Sequence, residues 1–197
     1  MGLRYTWLIR VGVTMDLNAL NHWQQLSFCT ALCERSMPNF QLFCEIEDQT
    51  SQFDQSRKIL NKVWEYLRGQ LTSLKNMENQ LEIMAELIPD PEVFENFGAY
   101  PAMDTMVNLQ SCLQSVLDNS ILDATNIQTM VHSRLKEVLE IQGIEVEKSE
   151  LWLRQFDFEQ EVYQLISQNT SHADIIKKMI PLSKGQGVSQ LGICLDE

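Results

Sequence analysis

The sequence predicts an all-α fold, a single compact domain of about seven helices packed as an irregular helical bundle. Three observations in the 197 residues lead there. Apolar residues recur every three to four positions along most of the chain, the spacing of helices that bury one face. Nothing alternates at the two-residue period of a half-buried strand over a useful length. The chain holds 8 glycines and 5 prolines, about half the roughly 12% share of an average protein, so the many turns of a sandwich or barrel are missing. A composition of 44% hydrophobic and 21% charged residues excludes a disordered or fibrous chain. No stretch reaches the ~18 uncharged apolar residues of a membrane span. Residues 16–197 read as one helical domain, and 1–15 as an N-terminal extension, disordered or a start-site artefact.

The elements follow in order. Leu17, Leu20, Trp23, Leu26, Phe28, Ala31 and Leu32 mark a first helix, expected to stop near Pro38, which lacks the N–H that a helix interior needs. Residues 39–49 are mixed. Ser51 with Asp54 three positions on reads as a capping box for a second helix, whose stripe Phe53, Ile59, Leu60, Val63, Trp64 and Leu67 ends at Gly69. Leu74, Met77, Leu81, Met84 and Ile88 form a third, ended by Pro89. Asp90-Pro91 predicts one short helical turn over 91–96, closed by Gly98. Tyr100-Pro101 opens a fourth helix carrying Met103, Met106, Val107, Leu113 and Leu117, broken at Asp118-Asn119-Ser120. Ile121, Ala124, Gln128, Val131, Leu135 and Leu139 give a fifth that stops at Gly143. Leu151, Phe158, Val162 and Leu165, flanked by Trp152 and Tyr163, give a sixth. Ser171 and Asp174 cap a seventh, with Ile175, Ile176, Met179 and Ile180 before Pro181. The tail then loosens, and Ile193-Cys194-Leu195 reads as a short extended piece.

Charge restricts function more than fold. The formal net charge is −12, from 27 acids and 15 bases. Residues 76–133 hold 9 acids and no lysine or arginine, so no direct nucleic-acid binding is expected there. A basic protein partner fits such a segment, and so does an ordinary solvated helix face. The 5 cysteines are odd in number, and Arg10 interrupts Trp7-Leu8-Ile9, a poor fit to a secretory leader. The expectation is reduced thiols in a cytoplasm, which leaves the sequon Asn169-Thr170-Ser171 without a glycan.

Enzyme signatures are absent. H-E-x-x-H, the Walker-type phosphate loop and G-x-S-x-G do not occur, and none of His22, His132 and His172 follows a glutamate by three residues as in di-iron bundles. Gly185, Gly187 and Gly192 have the wrong spacing for a dinucleotide fingerprint. The leaning is therefore towards a protein that is not an enzyme, and no cofactor is called.

Two constellations remain. His22, Cys29 and Cys33 lie along one line of the first helix with Cys44 further on, weak candidates for zinc, because i and i+11 stand about 16 Å apart on a straight helix. The second is polar. Glu34 and Arg35 end the first helix, and Asp104 sits at the start of the fourth behind Phe97-Gly98-Ala99-Tyr100-Pro101, where a carboxylate also suits a helix dipole. Glu34, Arg35, Tyr100 and Asp104 thus make a candidate polar cleft between two helix ends, open to a small-molecule substrate or ligand. Trp23, Trp64, Trp152 and Tyr163 fall at helical spacing and read as core.

Several runs carry a resemblance: residues 23–28, Leu32-Cys33-Glu34-Arg35 with Pro38-Asn39 and Phe43, Gln80-Leu81-Glu82 through Ile88-Pro89, and above all Gly98-Ala99-Tyr100-Pro101-Ala102-Met103-Asp104. Together, from about Leu17 to the C-terminus, they resemble the YjaG family of uncharacterised bacterial proteins, a domain of unknown function. The resemblance implies a compact helical cytoplasmic protein and supplies no reaction, substrate or catalytic residue. The reading that results is a non-catalytic protein-interaction or regulatory module with an acidic surface. Its alternative is a small-molecule enzyme or ligand binder using the cleft near Arg35, Tyr100 and Asp104.

Overall fold

The computed structural model describes residues 15–70, 73–120 and 122–195. Apart from Met15, the expected extension lies outside them, as does Ile121 of the fifth stripe. Seven α-helices are present, and no strand forms among the described residues: α1 His22–Ile46, α2 Thr50–Leu67, α3 Lys75–Leu87, α4 Ala99–Leu117, α5 Ala124–Ile141, α6 Glu150–Ile166 and α7 His172–Lys184.

The axis of the bundle is α1, about 37 Å long at 1.5 Å per residue. It packs against α2, α4, α5, α6 and α7, and every residue from Leu26 to Met37 is buried. A helix surrounded by partners needs apolar or self-satisfied groups all round. Thr30 and Ser36 meet that demand by donating to the carbonyls of Leu26 and Leu32, at 2.7 and 2.9 Å.

Two boundaries of the first helix differ from expectation. Leu17–Ala19 is a separate 3-10 turn capped by Asp16, and α1 begins only after Asn21. Asn21 accepts from the Gln24 N–H while the Gln24 side chain accepts from the Asn21 N–H, each at 3.0 Å, a capping box that fixes the start. At the other end α1 runs through Pro38 to Ile46. An interior proline costs roughly 3 kcal/mol, but burying each of Met37, Phe40 and Phe43 contributes about 1.5–3 kcal/mol, so packing prevails. Glu34 and Arg35 therefore sit in the middle of a helix and not at its end.

Smaller corrections have the same kind of cause. Because α2 begins at Thr50, Ser51 is already inside it, and the Gln49 cap receives no side-chain bond, so the Ser51/Asp54 box does not form. Residues 91–96 make turns instead of a helix. Asp90 accepts from the Glu92 N–H at 2.9 Å, yet Glu92, Val93 and Glu95 stay exposed, and with Phe94 as the one side chain between them packed on the core the nucleus does not propagate. Pro181 lies exposed within α7, which closes one turn later at Gly185 in the left-handed region (φ +53°). In the tail, Cys194 pairs with Val188 by a single antiparallel bridge. Buried Gln190 accepts from the Asn39 amide at 3.3 Å, which pins this loop onto α1.

One large apolar core runs through all seven helices except for the far end of α5, where Leu135 and Leu139 join Val146, Leu151, Trp152 and Leu191 in a satellite cluster. Trp64 is buried, and Trp23, Trp152 and Tyr163 pack partly buried against these clusters.

Candidate functional site

Successive residues of an α-helix point about 100° apart, and in α1 this separates two buried charges. Glu34 faces α2: its Oε1 accepts from Arg57 Nη1 at 2.6 Å and its Oε2 from Trp64 Nε1 at 2.9 Å. Both oxygens are engaged, and the open side is a cleft of about 260 Å³ shared with Gln41, Arg57 and Lys184.

Arg35 faces α6. Its Cζ lies 4.4 Å from the centroid of the Phe158 ring, and its Nε is buried with no hydrogen-bond partner. Burial, reinforced by the like charge of Arg154 and opposed by Glu159, pulls this guanidinium down to about 10. The guanidinium lines a cleft of about 370 Å³ with Arg154, Phe158, Leu182 and Gly185. A Cβ added to Gly185 would stand 3.0 Å from Arg35 Nη1, so the glycine keeps that approach open as well as permitting the turn.

Behind Phe158 lies a polar network that the sequence reading does not include. Glu159 has no exposed surface. Its Oε1 meets His132 Nε2 at 2.8 Å and the Gln155 amide at 2.7 Å, and its Oε2 accepts from the Gln128 amide at 2.7 Å. One signal was present: Gln128 interrupts an otherwise apolar stripe, and a polar residue on a buried face requires a partner.

Tyr100 and Asp104 do come together, around a residue that sequence spacing did not single out. Asp104, in the second turn of α4 and so beyond a dipole-capping position, accepts from Arg134 Nε at 2.6 Å. Arg134 also pairs with Glu137 and lies 5.2 Å from the Tyr100 ring and 5.9 Å from the Phe97 ring. Arg35 makes its contacts with α6 and the C-terminal turn, Glu34 with α2, and Tyr100 and Asp104 with α5. The four candidates are thus spread over three places.

The weak metal candidates are also apart. His22 Nε2 meets Ser115 Oγ at 2.7 Å, and the Cys33 thiol points to the Thr105 carbonyl at 3.8 Å. Among the described residues no group of three or more His, Cys, Asp or Glu side chains is arranged to hold a metal ion. Burial raises the Cys29 and Cys33 thiols well above their ordinary value and pushes Cys44 and Cys112 up to about 12, away from thiolate chemistry. The His22–Ser115 pair resembles a base and nucleophile, but Ser115 is fully buried and no carboxylate orients the imidazole among the described residues.

One further surface stands out. Glu78, Glu82 and Glu86 are exposed at four-residue intervals along α3, and Asp90, Glu92 and Glu95 continue the series in the loop after it. Further along the chain Val93, Phe97 and Tyr100 are exposed at 70%, 43% and 42%.

A family described as "Protein of unknown function (DUF416)" matches residues 12–194. An uncharacterized protein of Haemophilus influenzae is 30% identical over 94% of this chain and 98% of its own length. The Escherichia coli protein named "Uncharacterized protein YjaG" is 28% identical over 96% of this chain and all of its own. The crystal structure of a DUF416 family protein from Shewanella baltica superposes with a TM-score of 0.76 at 26% identity, covering 91% of this chain and 96% of that one.

Proposed function

The chain belongs to the DUF416 family, and on that footing we propose that it is a non-catalytic interaction module that docks a basic protein on the face formed by α3, the following loop and the start of α4. The observation that carries the reading is the column Glu78, Glu82 and Glu86. Like charges at i and i+4 destabilise a helix by roughly 0.2–0.5 kcal/mol per pair, so this column works against the helix that bears it. No lysine or arginine occurs between residues 76 and 133 to relieve it. Lys75, at the head of α3, makes no ion pair among the described residues, and Arg134 is already held by Asp104 and Glu137. A cationic partner would remove the repulsion and cover Val93, Phe97 and Tyr100 in the same step.

In this reading the protein works in the cytoplasm, supported by its unpaired cysteines, four of them buried. Among the described residues no helix is long and apolar enough to cross a membrane.

The test places a photo-cross-linking residue at Val93 in the full chain and compares capture with and without the triple change Glu78→Gln, Glu82→Gln, Glu86→Gln. The expected result is a cross-linked basic protein whose capture falls at high ionic strength and falls again in the triple variant. Capture of partners indifferent to both would sink the reading.

A further inference from the structure

We propose that the cleft around Arg35 is a binding site for a small organic carboxylate with an apolar body. It is separate from the docking face on α3 and does not depend on it.

The argument starts from an unmatched charge. Arginine is almost never fully buried unless paired, and a buried ion without a partner weighs heavily against a fold. Arg35 is only 6% exposed, yet its Nε has no acceptor and no ion pair ties it to a carboxylate among the described residues. The nearest buried acid does not serve. Glu159 places both oxygens on His132, Gln128 and Gln155. Glu34, the next residue along α1, is committed to Arg57 and Trp64 on another side. What Arg35 has instead is an aromatic face beneath it and an open cleft in front, about 370 Å³ in volume, within the roughly 300–1,000 Å³ span of small-molecule sites.

The surroundings narrow the ligand. A guanidinium presents a planar fork of donors that matches carboxylate and phosphate oxygens. Arg154 adds a second positive charge to the lining, and Asp157 and Glu161 add two negative ones. With two positive and two negative groups the lining is close to neutral, so a second negative charge on the ligand gains no net attraction while costing more to desolvate, and the monoanion is favoured. Phe158, Pro181 and Leu182 supply an apolar wall for the rest of the molecule. Gly185 leaves Nη1 approachable, since any side chain there would press against it. The geometry calls for no bond-making step, and the site binds without reacting.

The test is an NMR titration of the full chain with phenylacetate and 4-methylpentanoate, with phenylacetamide as the neutral control and inorganic phosphate as the dianion. The Arg35 side-chain resonances and the neighbouring amides are the reporters, because a carboxylate seated in the cleft meets the guanidinium through Nη1, the nitrogen beside Gly185. The expected result is a saturable shift at the Arg35 side chain and at the Gly185 and Gln186 amides with both carboxylates, none with the amide, and binding of phosphate roughly tenfold weaker or less. Arg35→Met abolishes the response. Arg154→Gln, on an exposed side chain that threatens no folding, weakens carboxylate binding about threefold to tenfold with an unchanged melting temperature. A flat titration, an equal response to phenylacetamide, phosphate binding as tight as the carboxylates, or an unaltered Kd in Arg154→Gln would each overturn the proposal.

Discussion

Glu34 and Arg35 are neighbours on the central helix, equally buried and opposite in charge, and the molecule treats them in opposite ways. Glu34 is closed by two donors, one from a charged side chain and one from an indole. Arg35 is given an aromatic ring and a place in the wall of a cleft. A buried charge with its valences filled holds two helices together, whereas one left open holds a place for something that arrives from outside. The contrast also separates a residue the fold needs from one it tolerates.

The largest effect should come from breaking the closed member. Glu34→Ala strands Arg57 and Trp64, and urea unfolding should show a loss of about 3–5 kcal/mol. Arg35→Met removes an unpaired buried charge, so in the same measurement it should cost no stability and leave it unchanged or higher. Equal losses in the two variants would erase the distinction. Glu159→Gln tests whether the acid behind Arg35 belongs to the closed class. It weakens a buried carboxylate engaged by His132, Gln155 and Gln128, and a loss of about 1–3 kcal/mol is expected. Gly185→Ala should cost about 1–2 kcal/mol, because φ +53° penalises a Cβ and the new atom meets Arg35 Nη1. The smallest effect lies on the docking face. Glu82→Lys should raise stability by about 0.3–0.5 kcal/mol at low salt and by less as salt is added.

The thiols give a pH-dependent check on the same core. Cys44 and Cys112 are pushed up to about 12 by burial from an ordinary value of 9.0, so the unfolded chain releases their protons first. Their contribution is complete below pH 9.0 and is lost as pH rises towards 12, which predicts a stability curve that declines across that interval. In the native protein, Cys194 should react with a thiol reagent while the four buried cysteines stay silent until unfolding.

The helical class and the order of seven elements were readable because the six outer helices carry periodic apolar stripes and the central one a long, mostly apolar run at helical spacing. The boundaries were less so. Pro38 and Pro181 signal a stop in any local reading, and only the surroundings of Phe40, Phe43 and Met179 show why the chain continues. The site was legible in part. Arg35 was named for the wrong neighbourhood, since ending α1 at Pro38 put it at a helix terminus facing Tyr100 and Asp104. Its actual partners, Phe158 and Gly185, are more than a hundred residues away in sequence and lie on elements whose rotation about their axes periodicity alone does not set. Arg134 was passed over for the same reason: a lone cation in a helix gives no sign that a carboxylate thirty residues earlier will meet it.

The central claim, that Arg35 is kept open for a ligand, is tested most directly by unfolding wild type and Arg35→Met with and without phenylacetate. At a free concentration about 100-fold above Kd, wild type should gain about 2.7 kcal/mol and the variant nothing. Equal gains in both proteins, or no gain in wild type at any concentration, would contradict it.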